Sequence, residues 1–282
     1  MRELLMATDL SARSDRALER AVMLAREHNA RLTIIHVVDE DLPASVADSQ
    51  KNAAKESIRQ HLNALTAADG LHVSTEVIFG RAYIDILKKS EKIEAEIIIL
   101  GAHREDAVKD MFRGTTAERI IRGSNVPVLL VKDRPNSPYR RIAVGVDFSV
   151  YSRRAVEFAV GFVPSGEFHL VHAYDVPFRG FLYGSDTRKQ VSKQHQMQFQ
   201  KMIEEEMSAF LDSFKANEPK LQRVMQEGSA REVIHGQVKR LKPDLLVVGT
   251  HGRTGVAHAL LGSVAEDLLS QPPCDVLAAK AW

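Results

Sequence analysis

A glycine-rich segment in the second half of the sequence has the composition of a phosphate-binding loop. It runs from Gly249 through Gly252 and Gly262 to Ser263, in the pattern Gly-x2-Gly-x9-Gly-Ser. Glycine lets a ligand approach the backbone closely, and the N–H groups and dipole of a following helix favour negative charge. The amphipathic run from Val264 predicts that helix, with the Ser263 hydroxyl as a further donor at its cap. The pattern favours an anion site, although glycines by themselves are more typical of plain turns, with Ser263 serving only as a cap.

An aspartate at the end of an apolar run is the second candidate. Asp147 begins the pattern Asp-x-Ser-x-x-Ser-x-x-Ala, in which Ser149 or Ser152 can cap the helix that follows. Ala173 ends the next apolar run, and Gly249 ends a later one. In open parallel sheets, ligands bind beyond the carboxyl ends of the strands. We therefore expect Asp147, Ala173 and Gly249 to face one cleft.

The same patterns occur earlier in the chain. The Asp-x-Ser-x-x-Ser-x-x-Ala frame also begins at Asp9, 138 residues before Asp147, and Gly101 and Gly114 stand 148 residues before two glycines of the loop. Agreement at so many positions indicates a duplication.

The first copy departs from the loop pattern at one position. Arg104 stands where the second copy has a glycine. A side chain there crowds the path of a phosphate, or forces a backbone conformation that non-glycine residues resist. We therefore expect a degenerate first site. The alternative is that the guanidinium turns outward and itself contacts a phosphate.

Each copy alternates short apolar runs, rich in Val and Ile, with longer stretches of helical periodicity. Such runs are typical of strands buried on both faces, and the alternation indicates an α/β fold with a parallel sheet. We predict two tandem copies of a five-stranded, doubly wound, Rossmann-like domain, at 1–133 and 140–282. Two prolines mark a linker at 134–139. The polar segment 41–57 is expected to be a mobile loop that leads into a helix start.

Composition and missing motifs exclude several classes of function. The chain has 38 basic and 37 acidic residues, and neither half is the basic block that nucleic-acid binding needs. The apolar runs are shorter than the roughly 20 residues of a membrane span. The single cysteine, Cys274, fits a reducing cytoplasm. The sequence has neither a Walker P-loop nor a Gly-x-Ser-x-Gly elbow. We expect a cytoplasmic protein with no nucleic-acid or membrane partner.

Three histidines are weaker candidates. His169 and His172 lie on opposite faces of one strand, which is more typical of a core pair than of metal ligands. His251 lies inside the glycine loop and can touch a ligand there, but no positioned carboxylate makes it a general base.

The glycine loop and the Asp-x-Ser-x-x-Ser-x-x-Ala frame resemble those of the ATP-binding universal stress proteins, which have an adenine nucleotide alpha hydrolase-like fold. The resemblance covers nearly the whole chain. It implies a tandem member of the family that binds ATP, and it leaves open whether Mg²⁺ is bound with the nucleotide. The nucleotide-binding residues it implies are Asp147, Ala173, Val248, Gly249, His251, Gly252, Gly262, Ser263 and Val264.

The resemblance also implies a role for each residue. Asp147 would lie near adenine and ribose or help hold a divalent ion, and Ala173 and Val248 would line the adenine slot. The glycines would let the loop fold over the triphosphate, and Ser263 with the following N–H would hold phosphate oxygens. Ala265 stands where family members can have another hydroxyl, so the resemblance implies one phosphate contact fewer in this chain. The weaker first-copy candidates are Asp9, Val37, Gly101, Arg104, Gly114 and Thr115.

The function implied is ATP-dependent regulation or protection in a stress response. A partner-binding scaffold without nucleotide and a slow ATPase are the alternatives. The last apolar runs of the two copies, Val126–Val131 and Asp275–Ala279, would be exposed sheet edges if left alone. Dimers of the family that this chain resembles pair through this strand. We therefore expect the copies to pair within the chain as a pseudo-dimer, with a homodimer and an unidentified protein partner as further expectations.

Overall fold

The computed structural model describes residues 1–65, 68, 70–102, 114–175, 186–214, 221–250 and 261–280. Of residues 44 and 186–196 it describes the backbone alone. Arg104, His251 and Gly252 therefore lie outside the described residues.

Strands and helices alternate along both halves of the described chain. The first half contains β1 (Glu3–Ala7), α1 (Ala12–His28), β2 (Arg31–Asp39), α2 (Ala44–Ala64), β3 (Val73–Gly80), α3 (Ala82–Lys92), β4 (Ile97–Gly101), α4 (Thr116–Gly123) and β5 (Val128–Val131). The second half contains β6 (Arg141–Gly145), α5 (Val150–Phe162), β7 (Glu167–Tyr174), α6 (Asp186–Asp212), β8 (Leu221–Glu227), α7 (Ala230–Leu241), β9 (Leu245–Gly249), α8 (Ser263–Ser270) and β10 (Asp275–Ala279).

These strands form a ten-stranded sheet in the order β3-β2-β1-β4-β5-β10-β9-β6-β7-β8. Each half is a parallel five-stranded layer, and the second repeats the strand order of the first. The predicted doubly wound α/β fold is confirmed. The strand order reverses between β1 and β4 and again between β6 and β9, and such reversals open the clefts where ligands bind.

An antiparallel pair joins the two halves of the sheet. Leu130 of β5 lies opposite Val276 of β10, and Val128 lies opposite Ala278. These two strands would otherwise present unpaired edges. Because this pair is antiparallel, the strands of the two halves run in opposite directions. The carboxyl ends of the first-half strands therefore lie at the opposite edge of the sheet from those of the second half.

The central strands are buried on both faces. Ile97, Ile98 and Ile99 have no exposed surface, and neighbouring residues alternate between two core clusters on opposite faces. This explains why the apolar runs are continuous rather than alternating. Within the described part of the chain, no helix has both the length and the apolar character to cross a membrane.

Local side-chain hydrogen bonds determine where two of the helices begin. Ser11 caps α1 and Ser149 caps α5, each accepting the N–H of the serine three residues on. The loop expected over 41–57 is shorter than predicted, because α2 begins at residue 44. Ala47 and Ala54 are buried at a spacing of seven, and Ile58 is buried one turn after Ala54, so these residues form the packed face of that helix.

Candidate functional site

A tight turn follows the first strand of each half, and an aspartate side chain closes it. The Asp147 carboxylate accepts the Ser149 backbone N–H at 3.0 Å and the Ser149 hydroxyl at 2.5 Å. Asp9 accepts the same two groups from Ser11, also at 3.0 and 2.5 Å. One serine thus closes the turn and caps the following helix. This arrangement resolves the sequence alternatives in favour of Ser11 and Ser149 as caps.

The residue after each aspartate has a left-handed backbone. Leu10 and Phe148 both have a φ of 61°, a conformation that bulky residues rarely adopt. Residues in such conformations persist only where the surroundings fix them, and they cluster at functional sites. The same conformation at the same place in both halves marks these turns as candidates for function.

The first-half aspartate is held in its ionised form. Burial raises the pKa of Asp9, but hydrogen bonds from Ser11 and Ser14 and the nearby charge of Arg13 together lower it by more than burial raises it. The net result is a pKa below the ordinary value of 3.8. The Ser14 hydroxyl lies 2.6 Å from the carboxylate, and the Arg13 guanidinium lies 3.7 Å away.

A cleft of about 250 Å³ opens at the carboxyl ends of β6 and β9. The structure brings seven of the sequence-predicted residues together in its wall: Asp147, Ala173, Val248, Gly249, Gly262, Ser263 and Val264. Val171, Ala230 and Ile234 also line the cleft, although the sequence did not single them out. The wall therefore combines an apolar side, a carboxylate and the start of α8.

The start of α8 forms one end of this cleft. Its N-cap is Gly262, so the expectation that Ser263 caps the helix is wrong by one position. The Gly262 N–H donates to the Thr250 carbonyl at 2.9 Å. A Cβ atom on Gly262 would lie 3.5 Å from that carbonyl oxygen, an ordinary contact, so the fold itself tolerates a side chain here. The first-turn N–H groups of a helix have no partner within the helix and can bind an anion.

Another cleft, of about 500 Å³, opens at the equivalent edge of the first half. We call this one the first cleft, and the 250 Å³ cleft of the second half the second cleft. Of the first-copy candidates, Asp9, Val37, Gly101, Gly114 and Thr115 line it. Ala82 and Ile86 of α3 line it at the positions that Ala230 and Ile234 have in the second half. The two clefts are thus built from matching positions of the two halves.

The universal stress protein family model matches this sequence twice, at residues 1–132 and 138–280. The chain belongs to the universal stress protein family. It is 22% identical to a universal stress protein E homolog from Haemophilus influenzae, over 94% of this chain and 92% of that protein. It is 30% identical to a universal stress protein of Staphylococcus aureus, over 46% of this chain and 84% of that protein.

The crystal structure of a universal stress protein from Archaeoglobus fulgidus has the same fold. It is similar over 99% of this chain and 98% of that one, with a TM-score of 0.72 and 22% sequence identity.

In this universal stress protein, the helix that begins beside the first cleft is capped by its own side chains. Thr115 is the N-cap of α4 and accepts the Glu118 N–H at 3.1 Å. The Glu118 carboxylate reaches back to accept the Gly114 N–H, and it also accepts the Arg122 Nε at 2.7 Å. Gly114 has a φ of 83°, which favours glycine at this position. Glu118 thus caps the helix together with Thr115, in a variant of the capping box. In the second half, Gly262 is the N-cap of α8, and Glu266 stands at the position that matches Glu118.

Two matching histidines were not recognised from the sequence as part of the sites. The His36 Nδ1 lies 2.8 Å from the Thr8 carbonyl oxygen, and the His172 Nδ1 lies 2.8 Å from that of Val146. Because a carbonyl only accepts, Nδ1 carries the proton in both rings. Each histidine therefore ties the second strand of its half to the residue before the aspartate turn. Each histidine stands directly before a predicted cleft residue, Val37 or Ala173, and this shared position was the signal that could have found them.

The other buried histidine of β7 has a different environment. His169 lies on the opposite face of the strand, with its Nε2 3.2 Å from a Glu167 carboxylate oxygen. His172, by contrast, is stacked against the Phe148 ring, with the two ring centroids 4.0 Å apart. Among the described residues, no three His, Cys, Asp or Glu side chains are placed to hold a metal ion together.

Glycine is required sterically at the end of β4. A Cβ atom on Gly101 would lie 2.9 Å from the carbonyl carbon of Arg13, which is backbone and cannot rotate away. The first turn of α1 therefore packs directly on the strand end. This glycine positions the wall of the first cleft.

Proposed function

We propose that the second cleft binds ATP, and that the protein acts in stress responses as a nucleotide-dependent regulator or protective factor. The observation that carries the proposal is the meeting of three kinds of group at one strand-order reversal. Val171, Ile234 and Val248 offer an apolar wall for a base, and Asp147 offers a carboxylate for ribose hydroxyls. The start of α8, whose N-cap residue Gly262 has no side chain, offers N–H groups for phosphate.

The residues present fit the proposed nucleotide. Gly262 supplies no capping oxygen of its own, and its N–H bonds to a backbone carbonyl rather than to an acidic side chain. Ser263 and Val264, both in the cleft wall, follow it with N–H groups in the first helical turn. The roles assigned to His251 and Gly252 in the glycine loop remain proposals from sequence. Any Mg²⁺ would arrive with the nucleotide, near Asp147.

In this proposal the protein binds and senses the nucleotide rather than turning it over. Binding at the glycine loop would change the surface that partner proteins read. We assign the binding unit to residues 140–282 and its degenerate partner to 1–133, with the linker at 134–139. The antiparallel β5–β10 pair supports an intrachain pseudo-dimer of these units. A cytoplasmic location, a homodimer and an unidentified protein partner belong to the same proposal.

A matched pair of variants tests the site. Ala230 and Ala82 are the first residues of α7 and α3, both partly exposed and both lining a cleft. Ala230→Trp fills the second cleft and should weaken ATP binding at least tenfold, about 1.4 kcal/mol. Ala82→Trp makes the same change beside the first cleft and should leave ATP affinity unaltered.

Isothermal titration of nucleotide-stripped full-length protein measures both variants, with circular dichroism confirming that each is folded. ATP binding that resists Ala230→Trp, or that responds equally to Ala82→Trp, would place the nucleotide elsewhere. Absence of ATP binding in the unmodified chain would favour the scaffold alternative.

A further inference from the structure

A cluster of charged side chains joins the two helices that line the second cleft. Asp267 of α8 accepts a hydrogen bond from the His235 Nε2 of α7 at 2.8 Å, and its other carboxylate oxygen pairs with the Arg231 guanidinium of α7. Because an ionised carboxylate only accepts, Nε2 carries the proton of that ring. These three residues form the Asp267 cluster, which holds α8 to α7 at two points.

The Asp267 cluster lies next to the cleft wall on both helices. Ala230 and Ile234 of α7 line the cleft, and the residue that directly follows each of them belongs to the cluster. Asp267 stands one helical turn after Ser263, which lines the cleft at the start of α8. The cluster therefore fixes the start of α8 relative to the apolar wall that α7 supplies.

The first half joins the matching helices by a different contact. The Arg119 guanidinium of α4 lies over the Tyr83 ring of α3, 5.0 Å from the ring centroid. Arg119 and Tyr83 stand 148 residues before Asp267 and Arg231, the same offset that relates the glycines of the two loops. A cation–π contact in one half and ion pairs in the other thus join the same two helices at the same positions. The shared place of the contact, with different chemistry, indicates that joining the helices is its role.

The fold of α8 does not depend on the Asp267 cluster. Three residues of α8 are buried in the core, Leu268 among them, and they hold the helix on the sheet. The side chain of Asp267 is 17% exposed, that of His235 is 34% exposed and that of Arg231 is 54% exposed. Water therefore reaches both partners, and removing Asp267 leaves no fully buried charge without a partner.

We infer that the Asp267 cluster positions the first-turn N–H groups of α8 for the phosphates of ATP. The inference deepens the proposed function and rests on it. In that proposal the base and ribose contact the strand ends and α7, whereas α8 contacts phosphate alone. Loss of the cluster should therefore weaken the binding of ATP and spare that of adenosine, which has no phosphate.

Asp267→Ala tests this role by isothermal titration of nucleotide-stripped full-length protein. ATP affinity should fall about fivefold or more, and adenosine affinity should stay within about twofold. Loss of a negative charge beside a phosphate site would by itself favour ATP, so a fall in ATP affinity indicates lost positioning. Alanine is also a good helix former, so the change does not weaken α8 itself. Arg119→Ala, at the matching position of α4, is the control and should leave ATP affinity within about twofold.

A charge swap separates positioning from a general effect of mutation. Arg231→Glu combined with Asp267→Arg keeps the net charge and again places opposite charges on the two helices. This double variant should bind ATP within about twofold of the unmodified chain.

The outcomes separate the inference from the proposed function. If folded Asp267→Ala protein binds ATP as tightly as the unmodified chain, or loses ATP and adenosine affinity equally, the inference is wrong and the ATP proposal stands. A folded charge-swap variant that stays as weak as Asp267→Ala also contradicts the inference. Absence of ATP binding in the unmodified chain would instead overturn the proposed function, and the inference with it. Should Asp267→Ala unfold, His235→Leu removes one of the two contacts and copies Leu87 of the first half. An unchanged ratio of ATP to adenosine affinity in that variant would then refute the inference.

Discussion

Replacing Asp275 should destabilise the protein more than any ordinary surface change, because its carboxylate joins elements of both halves. The side chain is 3% exposed and accepts the Tyr139 hydroxyl at 2.6 Å and the Lys132 N–H at 2.8 Å. The Arg20 guanidinium of α1 lies 3.4 Å away and also stacks 4.0 Å above the Tyr139 ring. One carboxylate at the start of β10 thus holds the first helix, the end of β5 and the linker.

The expected loss follows from what Asp275→Asn leaves behind. The side-chain oxygen of asparagine can still accept a hydrogen bond from the Lys132 N–H. Its NH2 group, which only donates, cannot accept one from the Tyr139 hydroxyl. Arg20, 6% exposed, would keep its charge without the opposing carboxylate. Breaking a buried pair from one side costs about 3–5 kcal/mol. Tyr139→Phe loses only the hydrogen bond to a charged group and should cost about 1.5–3 kcal/mol.

The pH dependence has a definite sign. Burial raises the pKa of Asp275, and the bonds from Tyr139, Lys132 and Arg20 lower it only in part, so it stays above the ordinary 3.8. The native chain then binds this proton more tightly than the unfolded chain. The contribution of Asp275 to stability is therefore full below pH 3.8 and falls as the pH rises through the native pKa. Asp275→Asn removes this part of the pH dependence.

Urea unfolding followed by far-ultraviolet circular dichroism measures the free energies of unfolding. Asp48→Asn, which changes an exposed aspartate on α2, is the control and should alter the stability by less than 0.5 kcal/mol, as is usual at surface positions. A loss below about 1 kcal/mol for Asp275→Asn, or a loss equal to that of the control, would refute the role of Asp275 as the link between the halves.

Three further changes test the packing around the sites. Gly101→Ala forces a Cβ against the Arg13 backbone and should cost about 1–3 kcal/mol in thermal or urea unfolding; an unchanged stability would contradict the close approach. Burial lowers the pKa of His28, whose ring stacks on Phe162 of α5, so its contribution to stability is full above 6.5 and is lost as the pH falls toward the native pKa. The His28→Phe variant should accordingly show a flatter melting temperature between pH 5 and 7 than the unmodified chain. Burial raises the pKa of Cys274 to about 12, so a thiol reagent at pH 8 should label it only after unfolding, and rapid labelling of native protein would contradict this.

The strands could be predicted because their sequences carry the burial pattern directly. The run Ile97–Leu100 is apolar at every position, and the structure buries it on both faces in β4. The run Val126–Val131 was two residues too long, because β5 begins only after Pro127. Proline has no N–H to give to a sheet. The early start of helix α2 was not predicted, because Ala47 and Ala54 form its buried face ahead of Ile58 and alanine carries little hydrophobic signal.

The strand-end part of the second cleft could also be predicted, since carboxyl ends of parallel strands must share an edge. Asp147, Ala173 and Gly249 were placed by that rule and do line one cleft. Ala230 and Ile234 could not be placed in the same way. They belong to a helix that crosses over the sheet, and the rule for strand ends does not say which of its residues face the cleft.

Glu118 was missed because its role depends on backbone geometry. The spacing of Glu118 and Arg122, four apart on a helix, predicts only an ordinary surface ion pair. What makes it different is the left-handed Gly114, which turns its N–H toward the carboxylate. A sequence pattern does not show where that N–H points.

A single chain with both halves can carry two different clefts, whereas a homodimer of one half cannot. In a homodimer, a change such as arginine at the position of Arg122, where the second half has Ser270, would appear in both halves together. Here the antiparallel β5–β10 pair joins two halves that are encoded separately, so α4 can have Thr115 as its N-cap while α8 has Gly262. Asp275 makes this joining specific, because its contacts to Tyr139 and Arg20 exist only when β10 lies against the first half of the same sheet. The buried carboxylate at the junction therefore helps to hold together, in one continuous sheet, two halves whose clefts have different walls.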